Sequence, residues 1–443
     1  MSDTQKKYIL IIDYNLSRFD DVKLMADYAR SCYGFDTILI RPNPSYLDSK
    51  ISDHVVDLDP RLEGFIQDAK EKLLPFANHI IAGFSFSDNA VYFGAKLLEE
   101  LGLEVDSASL AESAYSKIIY RQQENKYKNL LSQHHLFIPN FKVIHSINEL
   151  IEFSEQHSQG FVLKPSCEGN NRGVMILRKG DDLNSALQAV KPYLHEGIIC
   201  EELIPFEDEF SFDGVGHLNF ITQKLSVKGK YPVEYGQIVS RNISPDIVEL
   251  VSRAGTIANL LVGQYAGPFH NEIKLSLQTH QASVIEPNRR PAGMRIWSLA
   301  EKVFGVNFYH LWLDRMIRKT LPKHLPASRR VAAIRMLGSP FKGTINLPEC
   351  IIRNPNLLLD KTISLLKKRI DDGYKMEWFD FRLNKKNGDD VTDEPRDNSD
   401  FLAQVCFSMD DDAIDIRPLL NELHHCWLIC IQEYITELHG KVA

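Results

Sequence analysis

The sequence predicts an α/β protein whose first 114 residues form an open, Rossmann-like parallel-sheet domain, and three observations predict it. The apolar run in "KKYILIIDYN" reads as a strand. The amphipathic "SRFDDVKLMADYARSCYGFDTILIRP" reads as a helix and a second strand ending at Pro42. "HIIAGFSFSD" followed by "NAVYFGAKLLEELGLE" then repeats the order of strand and helix, the pattern of a parallel sheet with helical crossovers. The glycine fingerprint GxGxxG is absent, so this domain is not read as a dinucleotide binder.

Length and composition set further bounds. At 443 residues the chain exceeds one ordinary hydrophobic core, so two or three domains are expected. Its 44% hydrophobic and 25% charged residues are those of a soluble globular protein. No apolar run is long enough to cross a bilayer, and the start "MSDTQKKYILIIDYN" lacks the form of a signal peptide, which predicts a cytoplasmic protein with no membrane partner. Lys and Arg total 51 against 59 Asp and Glu, a net charge of −8 without a basic run, which argues against nucleic acid as a partner. Seven scattered cysteines with no CxxC predict reduced thiols. Cys426 and Cys430 would share a helix face near His424 and His425; this is read as small apolar residues on a buried face rather than as a metal site.

A second unit begins near Tyr115. Helices are expected through "ENKYKNLLSQHH" and "INELIEFSEQHS" with "FKVIHS" between them, then the strands "GFVLKPS" and "GVMILRKG" around a polar loop. "GIICEELI", "DEFSFDGVGH" and "LNFITQKLSVKG" follow, with a helix near Pro245 to Gly263 and a hairpin whose arms are "HNEIKLSL" and "ASVIEPNRR". The stretch 383–400, "LNKKNGDDVTDEPRDNSD", has the composition of a long exposed loop or a disordered insertion. "FLAQVCFSM" then resembles a strand and "IRPLLNELHHCWLICIQEYITEL" a closing helix.

The chemistry concentrates in "VIEPNRRPAG". Strand alternation projects Glu286, Asn288 and Arg290 from one face, and Pro287, without an N–H, suits a strand end. Glu and Asn oxygens suit Mg²⁺, and a guanidinium two positions on can fork onto a phosphate held by that metal. Upstream, His270, Glu272 and Lys274 alternate, which lets Glu272 face Glu286 across the hairpin; two opposed carboxylates repel unless a cation lies between them. In "FVLKPSCEGNNRGVMIL", Lys164 ends an apolar strand, and the Gly-bearing loop after it can aim backbone N–H groups at an anion without being a Walker A loop. "IICEELIPFEDEFSFDG" then suits an adenine hinge followed by a carboxylate for ribose hydroxyls.

Taken in order, Lys126, the Lys164 loop, "EELI" with Glu209, Glu272 and "EPNRRPAG" resemble the ATP-grasp superfamily over residues 115 to 300. Within it, "HNE" followed by "EPNRRPAG" is most similar to the L-amino-acid ligases, dipeptide-forming enzymes related to D-alanine-D-alanine ligase. The resemblance implies an N-terminal domain over 1–114, then a two-lobed α+β ATP-grasp fold with a lid subdomain over 115–205 and a C-terminal subdomain over 206–443. It also implies an ADP-forming carboxylate–amine ligase using ATP and Mg²⁺, two ions with Mn²⁺ as a substitute. The partners would be a small carboxylate and a small amine, with room for a homodimer.

Residue by residue, the resemblance implies Lys126 and Lys164 at the phosphates under the 167–173 loop, with Ser166, Glu168, Gly169 and Gly173 around the nucleotide. Glu201 or Glu202, with Leu203 and Ile204, would form the adenine hinge, and Glu209 would hold the ribose. Glu272, Glu286 and Asn288 would bind metal, and Arg290 and Lys164 would serve catalysis together with His270, itself read either as a substrate contact or as a strand residue. Arg289, Gly293, Met294, Arg295 and Glu234 would contact substrates. Two departures stand out: eight residues separate Glu201 from Glu209 where seven are usual, and Arg289 replaces a small or neutral residue. Two rival readings are an ATP-grasp ligase for a different acid and an ATP-binding regulator without turnover.

Overall fold

The computed structural model describes residues 6–169, 171–370 and 374–440, with side chains through Tyr434. At the N-terminal end four strands pair in parallel in the order His54–Val56, Asp36–Ile40, Tyr8–Ile12, Ile80–Ser85. Tyr8–Ile12 is YILII and buried along its whole length, the continuous apolar run of a strand covered on both faces. Helices Phe65–Leu73 and Asp88–Glu100 cover one face. The other is covered by Phe19–Tyr28 and by two helices from far downstream, Ile296–Phe304 and Phe308–Arg318, whose Trp297, Tyr309 and Trp312 pack with Phe84 and Phe86. The N-terminal sheet is therefore anchored onto the C-terminal half of the chain.

A small antiparallel sheet follows, ordered Phe141–Ile144, Ile198–Glu202, Phe161–Pro165, Met175–Leu177. It is backed by helices Ile147–Gln156 and Leu183–Val190. The first of these begins at a capping box in which Ser146 and Glu149 satisfy each other's backbone N–H groups.

The largest sheet has eight antiparallel strands in the order Gln281–Asn288, Pro268–Ser276, Asp208–Val215, Leu218–Ser226, Glu234–Ser240, Val331–Leu337, Ala403–Met409, Glu377–Leu383. Helix Pro245–Leu261 packs on one face through Leu250, Val251, Ala254 and Ala258. Gly255 is required there: a Cβ would come within 2.4 Å of the Phe212 ring. Helix Arg417–Gly440 covers the far strands with Leu420, Leu423 and Trp427. Among the described residues no helix is long and apolar enough to cross a membrane.

The segment 383–400 takes the exposed-loop alternative its composition predicts rather than the disordered one, with a few fixed points. Asp390–Val391 pairs with Gly343–Thr344, Val391 is buried, Asn387 accepts from the Leu347 N–H at 2.7 Å, and Asp397 caps the turn Asn398–Asp400. Hydrogen bonds, rather than apolar burial, order it, which is why its hydropathy gave no sign of structure.

Candidate functional site

The large sheet turns a charged face toward the small one. In the hairpin, His270 stands opposite Asn288 and Glu272 opposite Glu286. Past that pair the register slips at Ile285, so Ile273 and Val284 enter the core while Glu286 and Asn288 keep the cleft side. A cleft of about 400 Å³ opens here, lined among others by Lys117, Arg121, Asp88, Gly169, Glu286 and Asn288.

Helix Lys117–Lys126 borders the cleft. Arg121, 1% exposed, forks onto both oxygens of Glu201 at 2.9 and 3.1 Å, meets Glu124 at 2.5 Å, and donates to the carbonyls of Val284 and Ile285. Burial opposes its charge, but Glu124 and Glu201 outweigh burial and raise its pKa. Lys164 closes on Glu201 at 2.7 Å. Burial alone would push Glu201 up; Arg121 and Lys164 reverse this and hold its carboxyl down at about 2. Lys164 itself is lowered, burial outweighing Glu201. Lys117 pairs with Glu286 at 2.8 Å and donates to the Glu168 carbonyl at 2.8 Å.

This arrangement corrects the placement of Lys126. That residue is exposed at the helix end with its Nζ over the Tyr127 ring, because the buried stripe of the helix runs through Tyr120, Arg121 and Glu124. Glu201 and Glu202 point opposite ways by strand alternation. Glu201 points into the charged network, whereas Glu202 points out and accepts from the Asn140 N–H and side chain. Leu203 and Ile204 continue the chain half-buried beyond the strand.

In the loop after Lys164, Ser166 is buried with its hydroxyl 2.8 Å from that of Ser116, and Glu168 pairs with Arg172 at 2.6 Å. Gly173 has φ +71°, and a Cβ there would press on Pro165 at 2.9 Å. The expected 167–173 lid includes residue 170, which lies outside the described residues.

Further along the sheet, the Lys224 ammonium sits among Glu209, Glu234 and Glu272, 2.6 Å from Glu272 and 3.6 Å from Glu209. Burial works against ionisation of Glu272, but Lys224 and His270 hold its pKa low; burial, with Glu272 and Glu209 adding to it, pushes Glu234 up against Lys224. His270 contacts Asp213 at 2.6 Å and Glu272 at 3.2 Å. Burial alone would lower the imidazole, yet Asp213 raises it to about 9. Asp213 is itself fixed by the hydroxyls of Ser211 and Thr222.

The two adjacent arginines part company. Arg290 pairs with Asp88, which lines the cleft at the start of Asp88–Glu100. Arg289, expected at a substrate, instead donates to the backbone carbonyls of Ser107 and Val262 at 2.7 and 3.1 Å, tying the sheet edge to the preceding unit. Arg295 is likewise a strut rather than a substrate clamp, bonded to Asp380 at 2.7 Å and Asp21 at 3.1 Å. Arg18 adds a bond to the Pro291 carbonyl at 2.8 Å. These ties hold Met294 and Arg295 at positive φ, and Gly293 faces open space.

The donor set fits a hard divalent cation. Glu272 and Glu286, opposed on neighbouring strands, and the side-chain oxygen of Asn288 beside them are the hard oxygen ligands such an ion takes, with Lys224 and Lys117 paired to the two carboxylates. The trio Glu209, Glu234 and Glu272 also brings carboxylate oxygens within 4.8 Å of one another, around the Lys224 ammonium.

Sequence reasoning missed Lys117, Arg121, Lys224, Asp213 and Asp88. Lys224 was legible, alternating with Thr222 between apolar residues in "FITQKLS". Asp88 carried no signal, since it arrives from a different sheet 202 positions away from Arg290.

Residues 129–235 match the ATP-grasp domain family. The chain is 22% identical over 318 residues to alanine–anticapsin ligase of Bacillus amyloliquefaciens, covering 65% of this chain and 66% of that protein. It is 24% identical over 288 residues to alanine–anticapsin ligase of Bacillus subtilis, covering 58% and 59%. The chain thus spans less than two thirds of the length of these relatives. A crystal structure of L-amino acid ligase from Bacillus licheniformis superposes with TM-score 0.71 at 19% identity, covering 94% of this chain and 97% of the other. N5-carboxyaminoimidazole synthetase of Staphylococcus aureus, complexed with ADP, does so with TM-score 0.65 at 11% identity, covering 95% and 97%. At these identities the superpositions establish a shared fold.

Proposed function

The chain carries an ATP-grasp domain, and from that premise we propose that it is an ADP-forming ligase joining the carboxylate of an amino acid or related acid to the amine of a second amino acid. The observation that carries this reading is one cleft lined by Lys117, Asp88, Glu286 and Asn288, with Glu272 opposite Glu286, Arg290 paired with Asp88, and the Lys164–Glu201–Arg121 network alongside. A module that only bound nucleotide would have no use for both opposed carboxylates. The reading divides the chain at 1–114, 115–205 and 206–443.

A carboxylate is a poor electrophile and hydroxide a poor leaving group. Transfer of the ATP γ-phosphoryl group to the carboxylate oxygen removes both obstacles: the bond to ADP breaks as the acyl phosphate forms. The amine then attacks the acyl carbon, loses a proton, and phosphate departs with the bonding electrons. Lys117 and Lys164 neutralise phosphate charge, Glu209 takes the ribose, and Glu272, Glu286 and Asn288 would hold Mg²⁺, which supplies charge neutralisation at the phosphoryl oxygens. Arg290, oriented by Asp88, faces the oxyanion of the tetrahedral intermediate.

The test is phosphate release from ATP and Mg²⁺ with pooled, then single, amino acids, and mass spectrometry of the products. A new amide formed only with a particular pair is the expected result, and nucleotide binding without phosphate release from any pool would remove the ligase reading. Glu286→Gln should lower turnover on the order of 10²-fold or more while nucleotide binding falls less; unchanged turnover would remove the metal assignment.

A further inference from the structure

A second hollow, of about 820 Å³ against about 400 Å³ for the cleft, opens beside the start of strand Leu218–Ser226 and shares no lining residue with the cleft. Five consecutive residues, His217 to Ile221, line it. Neighbouring side chains of a strand lie on opposite faces, so a hollow touched by all five opens at the strand's edge rather than on a face. The pairing accounts for that open edge. Strand Glu234–Ser240 pairs with Thr222 to Ser226 only and then leaves toward helix Pro245–Leu261, while Leu218 to Ile221 pair on their other side with Phe212 to Val215. Leu218 to Phe220 therefore have no strand beside them on the hollow's side, and no backbone hydrogen bond ties them to the chain across it. A strand edge without a neighbour presents main-chain donors and acceptors.

The facing wall is the segment 322–326, held by two hydrogen bonds. His217 donates from Nε2 to the Pro322 carbonyl at 2.8 Å, and Arg241 donates from Nη1 to the Pro326 carbonyl at 3.1 Å. Between these ties Lys323 and His324 line the hollow with no hydrogen bond or ion pair among the described residues. Arg241, at the point where the neighbouring strand departs, has no carboxylate partner among them either. No carboxylate lines the hollow, although the chain as a whole carries a net charge of −8. The floor is apolar: Leu218, Phe220 and Phe304 are exposed by 5% or less.

We propose that this hollow binds a short peptide in extended conformation, lying beside Leu218 to Phe220 where strand Glu234–Ser240 stops, with its free carboxylate met by Lys323, His324 and Arg241. Each observation asks for one part of that ligand. The bare strand edge asks for main-chain N–H and C=O groups, the floor for an apolar side chain, and the unanswered cations for a carboxylate. A small apolar acid would answer the cations and leave the edge bare. Three strand residues span roughly 10 Å, the length of a tripeptide. The hollow is separate from the cleft, so the proposal stands without the ligase reading.

The probe is acetyl-Ala-Leu-Ala with a free carboxylate, titrated into the full-length protein by calorimetry beside three relatives: its C-terminal amide, the same acid N-methylated at leucine, and hexanoate. The free acid should bind at least tenfold more tightly than each of the three. The amide keeps the main chain and loses the charge, so it reads the cations. The N-methylated acid keeps the charge and loses a main-chain donor, so it reads the strand edge. Lys323→Glu should weaken the free acid at least tenfold and leave the amide within about twofold. Lys323 is exposed and without a partner, so that variant should keep the parent's melting temperature and bind a non-hydrolysable ATP analogue within about twofold of the parent.

The site is overturned if none of the four compounds binds at millimolar concentration, if acid and amide bind alike, or if Lys323→Glu leaves the acid's affinity unchanged. Hexanoate binding as tightly as the peptide would make the hollow a pocket for small apolar acids and would overturn the peptide assignment. Equal binding of the N-methylated acid would overturn it too, because the strand edge would then take no part.

Discussion

At the wall of the cleft, Arg121 spends its guanidinium on Glu201, Glu124 and two backbone carbonyls, and Lys164 closes on the same Glu201. Beside Met294, Gln237 and Asn398 hold buried oxygens with no partner among the described residues. The difference separates two kinds of buried polarity. A network satisfied within the chain is rigid before any ligand arrives, and it fixes the small four-stranded sheet against the hairpin carrying Glu286. A set of acceptors left open gains no hydrogen bond for its burial.

The largest effect that could break this comparison is on stability. Arg121→Met leaves Glu201 and Glu124 buried near each other with only Lys164 to answer them, and it should cost about 3–5 kcal/mol by denaturant titration. Asn398→Ala removes an acceptor that contributes nothing to the folded chain and should stay within about 0.5 kcal/mol. Similar losses in the two variants would erase the distinction.

A smaller effect lies at the far edge of the large sheet, where a buried polar group has a single partner. His424 accepts from the Gly338 N–H at 3.2 Å, and burial, with Arg335 and His425 adding to it, pushes its imidazole down to about 3. Between pH 6.5 and 3 the unfolded chain takes up a proton that the folded chain does not, so stability falls as pH falls through that window. The loss should reach about 2 kcal/mol between pH 7 and pH 5, and His424→Gln should flatten it, as followed by melting temperature against pH. A profile unchanged by the substitution would mean that the imidazole is hydrated in the folded state. The same environment bears on Cys426 and Cys430: both are buried as free thiols in the apolar layer under helix Arg417–Gly440, as their spacing suggested.

Legibility in the sequence followed the range of the interactions. The parallel strands, the hairpin and the opposition of Glu272 and Glu286 depend on period-two alternation within a few residues, and they could be read directly. The fates of Arg289, Arg290 and Arg295 could not, because their partners Ser107, Asp88, Asp21 and Asp380 come from distant segments. Asn398 was invisible for another reason: its segment is polar throughout, and hydropathy does not register order built from side-chain caps and a two-residue strand pair.

The smallest expected effect is the sharpest test of the helix that borders the cleft. The resemblance singled out Lys126, yet of this helix it is Lys117, Tyr120 and Arg121 that line the cleft. Lys126→Ala should therefore leave stability within about 0.5 kcal/mol and phosphate release within about twofold, since an exposed lysine over a neighbouring ring contributes little. Lys117→Ala in the same assay removes the cation paired with Glu286 and should reduce turnover on the order of 10²-fold. The two residues lie nine positions apart on one helix, on opposite faces, so a helix turned by about 180° would exchange their roles. Lost turnover in Lys126→Ala with normal turnover in Lys117→Ala would require that turned helix. It would also dissolve the Arg121 network, because a guanidinium cannot reach Glu201 and the Val284 carbonyl from the outer face.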